Sequence, residues 1–551
     1  MRSLGGRMAV TVGLLGALLL GIGWLVVVLL EAPLWFPMAF VIGFTVLQYA
    51  IAPWLIRWMV PAREIARNDS GDGYLSDELV ASLVARRAQD AGVPLPRLGV
   101  IDDGTPNAFA FGRTPSSGHV WVSRGLIERL DEDELDAVLT HEIGHIRHWD
   151  MVVMTVAALV PMALYMVHVI ARRMDRNEAR AVAVASYMAY LVAQLAVLAV
   201  SRARELKADA WSRQCTGHGD ALASALVKIA YGIGKVEHDA RQAAEAEHGK
   251  RKARFKASAQ RGGMDAAQVL GIMSSRDGRR MAALLMDNAE DSDAAVAGLR
   301  WDRTNPWARL GEKLSTHPLV ATRIAWLGRP GPGAATRWPQ VAEASIGDDQ
   351  ELRQARGRFA WQLALSVAPW AVIIPAFVVL YLTSSPVLIP GALLLGGFLL
   401  FVKQRVRYTF GYQPVDRVTS LLQRLDAGPV FGIPVEVRGR ILGRGVPGYV
   451  LSPDLVVQDD SGFVPLVYTN PLPFAREWFG LFRAERWFDR EVVARGWYFR
   501  SAGGPKVELR EVRVVTGDHR ARARGWDWIA RHVAAAMVFA AGVIALLATM
   551  T

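Results

Sequence analysis

The chain has one cysteine, Cys215, in 551 residues. No intrachain disulfide can form, which fits soluble parts held on a reducing, cytoplasmic face. Cys215 itself reads as a small packing residue, because the metal-ligating pattern below is complete without it. An acidic excess is also missing. Lys and Arg total 63 against 52 Asp and Glu, a formal net charge of +11. In a chain that is 52% hydrophobic and carries 18 Trp, this points to basic loops facing anionic lipid head groups. The Arg residues are spread beside apolar segments, which disfavours nucleic acid as a partner. No small-residue cleavage site follows the first apolar run, Met8 to Leu30, and the run is too long for a signal-peptide core. A retained membrane span is expected there.

What is present is apolar sequence in spanning lengths. Besides 8–30, the segments 34–58, 151–171, 183–200, 360–382, 386–402 and 527–549 are candidate spans, 386–402 being the shortest. Arg2 and Arg7, Arg57, Arg63 and Arg67, Lys403, Arg405 and Arg407, and Arg520, Arg522 and Arg524 fall on one side, which the positive-inside rule makes the cytoplasm. One loop disagrees. Arg172, Arg173, Arg176 and Arg180 lie outside if both neighbouring runs cross. Either this hairpin breaks the rule, with Asp175 and Glu178 in partial compensation, or it enters only part of the bilayer.

The chemistry is concentrated in His141-Glu142-Ile143-Gly144-His145. On a helix, positions i and i+4 share a face, so both imidazoles can reach one metal ion while Glu142 points at a water on it. Zinc suits such a site, with three protein ligands, an open fourth position and a bound water whose pKa falls to about 7. Apart from Gly144, no Pro or Gly interrupts Leu135 to Val160, so one helix is expected to run from the motif into the membrane. Ala183 to Arg213 also lacks both breakers. If the chain turns near Asp175, His145 lies 30 residues before it and Glu205 30 after; His141 and Asp209 are each 34 away. An antiparallel hairpin then sets Glu205 beside His145 and Asp209 beside His141. Thirty residues of helix are about 45 Å, against a hydrocarbon core of about 30 Å, which places the metal roughly 10–15 Å above the membrane.

An HExxH pentad alone also occurs in chains where the histidines are ordinary surface residues. Here its helix is amphipathic, with Leu135, Val138, Leu139, Ile143 and Ile146 on one stripe. An ExxxD element, Glu205 to Asp209, lies at hairpin-matched distance, and strand-like segments precede the motif. His148 is about 10 Å along the axis from His141, too far to share an ion. Glu205 is therefore the better third ligand, and Asp209 would accept a hydrogen bond from the His141 ring.

These residues resemble the HtpX-like and CAAX-prenyl-type integral-membrane zinc metallopeptidases. The matching pieces are Pro106 to Ala110, Leu135 to Thr140 leading into His141–His145, Asp150-Met151, Ser201 to Glu205 through Asp209, Thr316-His317-Pro318, and Arg323-Ile324-Ala325. They cover roughly residues 1–328. The resemblance implies zinc held by His141, His145 and Glu205, one ion per chain, with Glu142 as general base. It also implies that His317 and Arg323 shape the site and face the developing oxyanion; the competing role for His317 is a helix-start residue before Pro318. The added C-terminal part departs from the HtpX pattern, and the order of spans differs from that of the CAAX-prenyl enzymes.

Segments 97–101, 107–112 and 118–123 read as short strands. Asn107, Ala108, Phe109 and Ala110 would offer an edge to which an extended substrate adds by main-chain hydrogen bonds, while Phe109 and Phe111 share the opposite, buried face. Residues 236–305 read as charged helices and loops, either capping the cleft or forming a mobile insertion. Residues 404–525 carry five strand candidates, Val435–Ile441, Asp454–Gln458, Val464–Tyr468, Glu491–Arg500 and Lys506–Arg510, which suggest a small closed, OB-like barrel. Its aromatics Trp478, Phe479, Phe482, Trp487 and Phe488 are expected in its core or at the membrane interface rather than against nucleic acid.

The expected architecture is an α-helical integral membrane protein. It carries an α+β, gluzincin-like zinc-peptidase domain and a C-terminal small β-barrel module. Two spans occupy 1–60 and the first part of the peptidase domain 61–150. A membrane hairpin follows over 151–200, and the second peptidase part over 201–327. A linker (328–359), a span pair (360–402), the barrel (403–526) and a last span (527–551) complete the chain. The expected activity is endopeptidase cleavage of membrane or misfolded proteins at the cytoplasmic face of the cell membrane, in quality control or regulated proteolysis. The alternatives are processing of lipidated or C-terminal substrates, and a zinc-stabilised scaffold, for which Glu142 would be superfluous. Substrate identity and oligomeric state are not legible.

Overall fold

The computed structural model describes residues 35–76, 78–172, 177–230, 299–329, 331–334, 350–444, 454–501, 504–515 and 522–550. The expected span at 8–30 and the segment 236–298 lie outside the described residues. Two compact units are present. One comprises Met1–Ile233, Ala259–Gly278 and Glu312–Ala342, the other Gly234–Ser258, Arg279–Gly311 and Glu343–Thr551.

The first unit opens with α1 (Trp35–Met59), which coincides with the expected second span. Then follow β1 (Arg63–Ile65), α2 (Leu79–Ala91), β2 (Arg97–Ile101), β3 (Ala108–Phe111) and β4 (His119–Ser123). The sheet order is β1-β2-β4-β3, with β2 and β4 parallel and the other pairs antiparallel. Alternation puts Phe109 and Phe111 on one face, where they pack with Val60, Ile101 and Trp121. β3 is left as an edge strand.

The helix α3 (Glu132–Arg147) starts on a reciprocal cap: Asp131 accepts from the Glu134 N–H and Glu134 accepts from the Asp131 N–H. Its stripe Leu135, Val138, Leu139, Ile143 and Ile146 is buried. The helices α4 (Asp150–Ala171) and α5 (Asn177–Thr216) form the hairpin, and α6 (Val320–Leu327) completes the unit. Gly144 lets α3 and α5 approach closely. A Cβ there would lie 3.1 Å from Trp211 Cδ1 and 3.5 Å from Ala208 Cα.

One expectation is corrected. The helix of the pentad does not run on into α4. It stops at Arg147, and Trp149 adopts φ 58°, in the left-handed region. No Gly or Pro marks this break. The turn brings Asp150, five residues on, back onto His145.

The second unit holds α7 (Gln350–Thr383), α8 (Ile389–Arg407) and α10 (Asp527–Met550), with a barrel inserted between the last two. The barrel strands are β5 (Ile433–Arg444), β6 (Leu455–Gln458), β7 (Phe463–Val467), β8 (Glu491–Ser501) and β9 (Gly504–Val514). They close in the order β5-β6-β7-β9-β8-β5, with only β7 and β9 parallel. Closure follows from the alternation of residues such as Val435, Val437, Val492, Ala494, Val507 and Leu509, all inside. A ten-residue helix, α9 (Pro473–Phe482), joins β7 to β8.

Five helices among the described residues are long and apolar enough to cross a membrane: Asp150–Ala171, Glu178–Thr216, Leu352–Thr383, Ile389–Arg407 and Asp527–Met550. They coincide with five of the expected spans.

Candidate metal centre and peptidase cleft

The pentad's spacing puts His141 and His145 on one face of α3, with their Nε2 atoms 3.2 Å apart. Each Nδ1 has its own carboxylate. His141 Nδ1 is 3.0 Å from Asp209 Oδ1, and His145 Nδ1 is 2.5 Å from Asp150 Oδ2. With Nδ1–H donating to a carboxylate, both Nε2 lone pairs converge on one point. Only a cation between them, a metal or a proton, relieves that repulsion. Glu205, from α5, brings Oε2 to 3.7 Å from His141 Nε2 and Oε1 to 3.7 Å from His145 Nε2. Its Oε2 is buried and makes no hydrogen bond.

These residues fit a small tetrahedral metal ion. Ligand bonds of about 2.0–2.1 Å set donor atoms roughly 3.3 Å apart, and the three donors here lie within 4.8 Å of one another. His141, His145 and Glu205 could hold such an ion. The same demand for positive charge shows in the titration of His141. Burial opposes its charged form, but the carboxylates of Asp209 and Glu205 outweigh this and push its pKa up to about 9.

Glu142 follows His141 and lines the same cleft. Its Oε2 accepts the Ala110 N–H at 2.8 Å, while Oε1 is buried without a partner. Ala110 therefore turns its main chain away from β4, towards Glu142. By alternation Ala108 does the same, and Phe109 faces Trp121 across the ladder. Asn107 lies just off this edge: its N–H donates to Ser123 Oγ and its C=O accepts the Ser123 N–H.

The cleft is a cavity of about 490 Å³. Glu142, His145, Glu205 and His317 form its floor, Ala110 one rim, Thr45 and Tyr49 of α1 and Met154 and Ala158 of α4 its walls. The helix break decides this arrangement. Because α4 starts at Asp150, its first turns stand directly beside the site.

His317 reaches the cleft on a segment clamped to α5, where Arg202 donates to the Lys313 and Ser315 carbonyls at 2.8 Å each. Its Nδ1 is 3.4 Å from Glu205 Oε2. Arg323 is placed otherwise than expected. It is buried behind His141, donating to Asp209 through Nε at 2.9 Å and Nη2 at 2.6 Å, and it does not line the cavity. The Asp209 carboxylate and burial on α6 hold it there, and its charge balances the acid. Two cleft residues were not assigned a role from sequence. Asp150 orients His145 across the unforeseen break. Arg204 Nη2 donates to Glu205 Oε1 at 2.8 Å; adjacency to Glu205 was the available signal.

Comparison with known proteins places this geometry. The chain matches Peptidase family M48 over residues 75–330, a range that contains His141, Glu142, His145, Asp150, Glu205, Asp209, His317 and Arg323 but not the α1 residues Thr45 and Tyr49 of the cleft. A Protease HtpX homolog of Methanothermobacter thermautotrophicus is 37% identical over 227 residues, 41% of this chain and 83% of that relative. The chain belongs to peptidase family M48. A second M48-type relative, the Protease HtpX homolog of Moorella thermoacetica, is 35% identical over 208 residues, 36% of this chain and 67% of the relative. The homolog of Acidiphilium cryptum is 43% identical over 154 residues, 26% and 54% of the two chains. The Crystal Structure of S. mikatae Ste24p aligns with 39% of this chain and 55% of its own, at 19% identity and a TM-score of 0.26, a likeness too slight to carry an argument. The M48 chain described here is thus a membrane protease, and the family match ends before α7 and the barrel.

Proposed function

We propose that this chain is a zinc-dependent endopeptidase that cuts membrane or misfolded proteins at the cytoplasmic face of the cell membrane. One observation carries the reading. Two Nε2 atoms and a Glu205 oxygen that makes no hydrogen bond converge on one point, and the free Oε1 of Glu142 lies in the same cleft. Zinc bound there supplies Lewis acidity and a water acidic enough to react near neutral pH. Glu142, anchored through Oε2 by Ala110, takes the water's proton on Oε1 as the water oxygen bonds to the scissile carbonyl carbon. It delivers that proton to the amide nitrogen as the C–N bond breaks. His317 lines the cleft and is placed to donate to the carbonyl oxygen as it becomes negative. Arg323 is a positioning residue, holding Asp209 against His141. An extended substrate is held by the outward main-chain groups of Ala108 and Ala110 on the β3 edge.

The cleft walls support membrane substrates, since α1 and α4 contribute them. Twenty-two residues of α4 span about 33 Å, enough to cross a hydrocarbon core. This favours a hairpin that crosses fully, with the basic turn outside. The barrel's ring, closed by one parallel pair, supports an OB-like module. The test is cleavage of a membrane-anchored substrate by the full chain in detergent or nanodiscs. Loss on chelation, recovery with zinc and loss in Glu142→Gln with zinc retained support the reading. Undiminished turnover by Glu142→Gln would sink it.

A further inference from the structure

The barrel's aromatics divide into two sets. Phe479 and Trp487 are buried in the barrel core. Leu472, Phe474, Trp478 and Phe482 are 62%, 69%, 50% and 48% exposed. The last three are spaced four apart on α9, so they form one stripe. Their rings run in a continuous row, with centroids 6.0 Å apart from Phe474 to Trp478 and 4.4 Å from Trp478 to Phe482. A solvent-facing stripe of three large aromatics on a ten-residue helix needs a cover.

The place of α9 in the fold says what covers it. The Thr469 carbonyl, three residues before Leu472, accepts the Trp526 N–H at 2.9 Å. Trp526 immediately precedes the membrane-length helix α10. The aromatic row therefore starts beside the point where the chain enters the bilayer. Trp526 and Phe410 are exposed as well, and the Phe410 ring lies 5.8 Å from that of Trp528 in the first turn of α10. Basic side chains border the row: Arg483 and Arg486 after α9, Arg524 before α10 and Arg405 at the end of α8 are all exposed. Apolar aromatics flanked by arginine, next to a span, match the chemistry of the anionic membrane interface. A nucleic-acid strand would instead follow the barrel strands, where the aromatics Trp497 and Phe499 are buried.

We propose that α9 is an in-plane interfacial helix, with Phe474, Trp478 and Phe482 entering the boundary between lipid head groups and acyl chains beside α10. It fastens the barrel to the bilayer surface at a third point, besides its two membrane helices. The occupant is lipid of the chain's own membrane.

The test uses the full chain with Cys215→Ser, in nanodiscs of phosphatidylcholine and phosphatidylglycerol. A single cysteine replaces Trp478 and is labelled with an environment-sensitive fluorophore. Phe474→Cys serves as a second site, and Arg438→Cys, on an exposed β5 position, as a water-facing reference. Expected are a blue-shifted emission, several-fold stronger quenching by nitroxide lipids at 478 and 474 than at 438, and weaker quenching by aqueous iodide. Equal quenching at all three sites overturns the proposal. So does a site shielded from iodide yet untouched by nitroxide lipid, which assigns the stripe to a protein partner.

Discussion

At the residue scale, the cleft gathers two imidazoles and several carboxylates around one point. Two carboxylates hold the imidazoles, the third, Glu205, could ligate a metal, and Arg323 offsets Asp209 from behind. Three outcomes follow. Glu142→Gln should lower kcat by about 10²–10⁴ while bound zinc, measured by elemental analysis, stays near one per chain. Asp150→Asn should leave the fold intact but weaken zinc affinity by about 10–100-fold in a competition titration, because His145 exchanges a charged acceptor for a weaker neutral amide. The third is pH dependence. In the metal-free chain the His141 pKa is raised to about 9, so zinc must displace a proton below that pH. Apparent zinc affinity should climb by about tenfold per pH unit between pH 7 and 9 for that one proton. The metal-free fold has the opposite slope: the stabilisation from charged His141 is full below about pH 6.5 and is lost as pH rises through about 9.

At the element scale, the pairing of α3 with α5 and of the barrel with its membrane helix can each be probed by one side chain. Gly144→Leu drives a side chain into Trp211 and Ala208. Such overpacking costs typically about 1–3 kcal/mol and should appear as a lower Tm. In the second unit, Glu508 is buried between Arg407 Nη2 at 3.0 Å, Tyr408 Oη at 3.0 Å and Lys506 Nζ at 2.8 Å. Burial raises its pKa, but Lys506 and Arg407 prevail and lower it to about 2. A depressed carboxylate contributes stability above its unfolded pKa, about 4.3, and loses it as pH falls towards 2. Acid should thus loosen this junction between those values. Glu508→Gln, which removes the counter-charge of the partly exposed Arg407 and Lys506, should cost about 1–3 kcal/mol in barrel unfolding at neutral pH.

At the scale of the whole molecule, the peptidase cleft belongs to a chain with five membrane-length helices among its described residues. Its walls are drawn partly from them. If membrane proteins are the substrates, filling the α4 wall should matter more for them than for soluble peptides. Ala158→Trp is expected to lower kcat/KM for a membrane-anchored substrate several-fold more than for a short soluble peptide. Equal losses would detach the cleft wall from substrate choice.

The sequence by itself determined the site's ingredients. Helical periodicity places His141, Glu142 and His145 on one turn, and apolar length marks the spans. Hairpin counting pairs Glu205 and Asp209 with them across some sixty residues, because helix rise is nearly constant. Turns containing Gly and Pro likewise marked off the five strands of the barrel. What it could not reveal depends on contacts that no local pattern encodes. Trp149 breaks the helix without Gly or Pro, and the turn brings Asp150 onto His145. Arg323 sits behind the imidazole because a buried Asp209 needs a counter-charge. The aromatics of α9 and the barrel core have the same composition, and only the closure of the strands decides which are inside and which face the lipid.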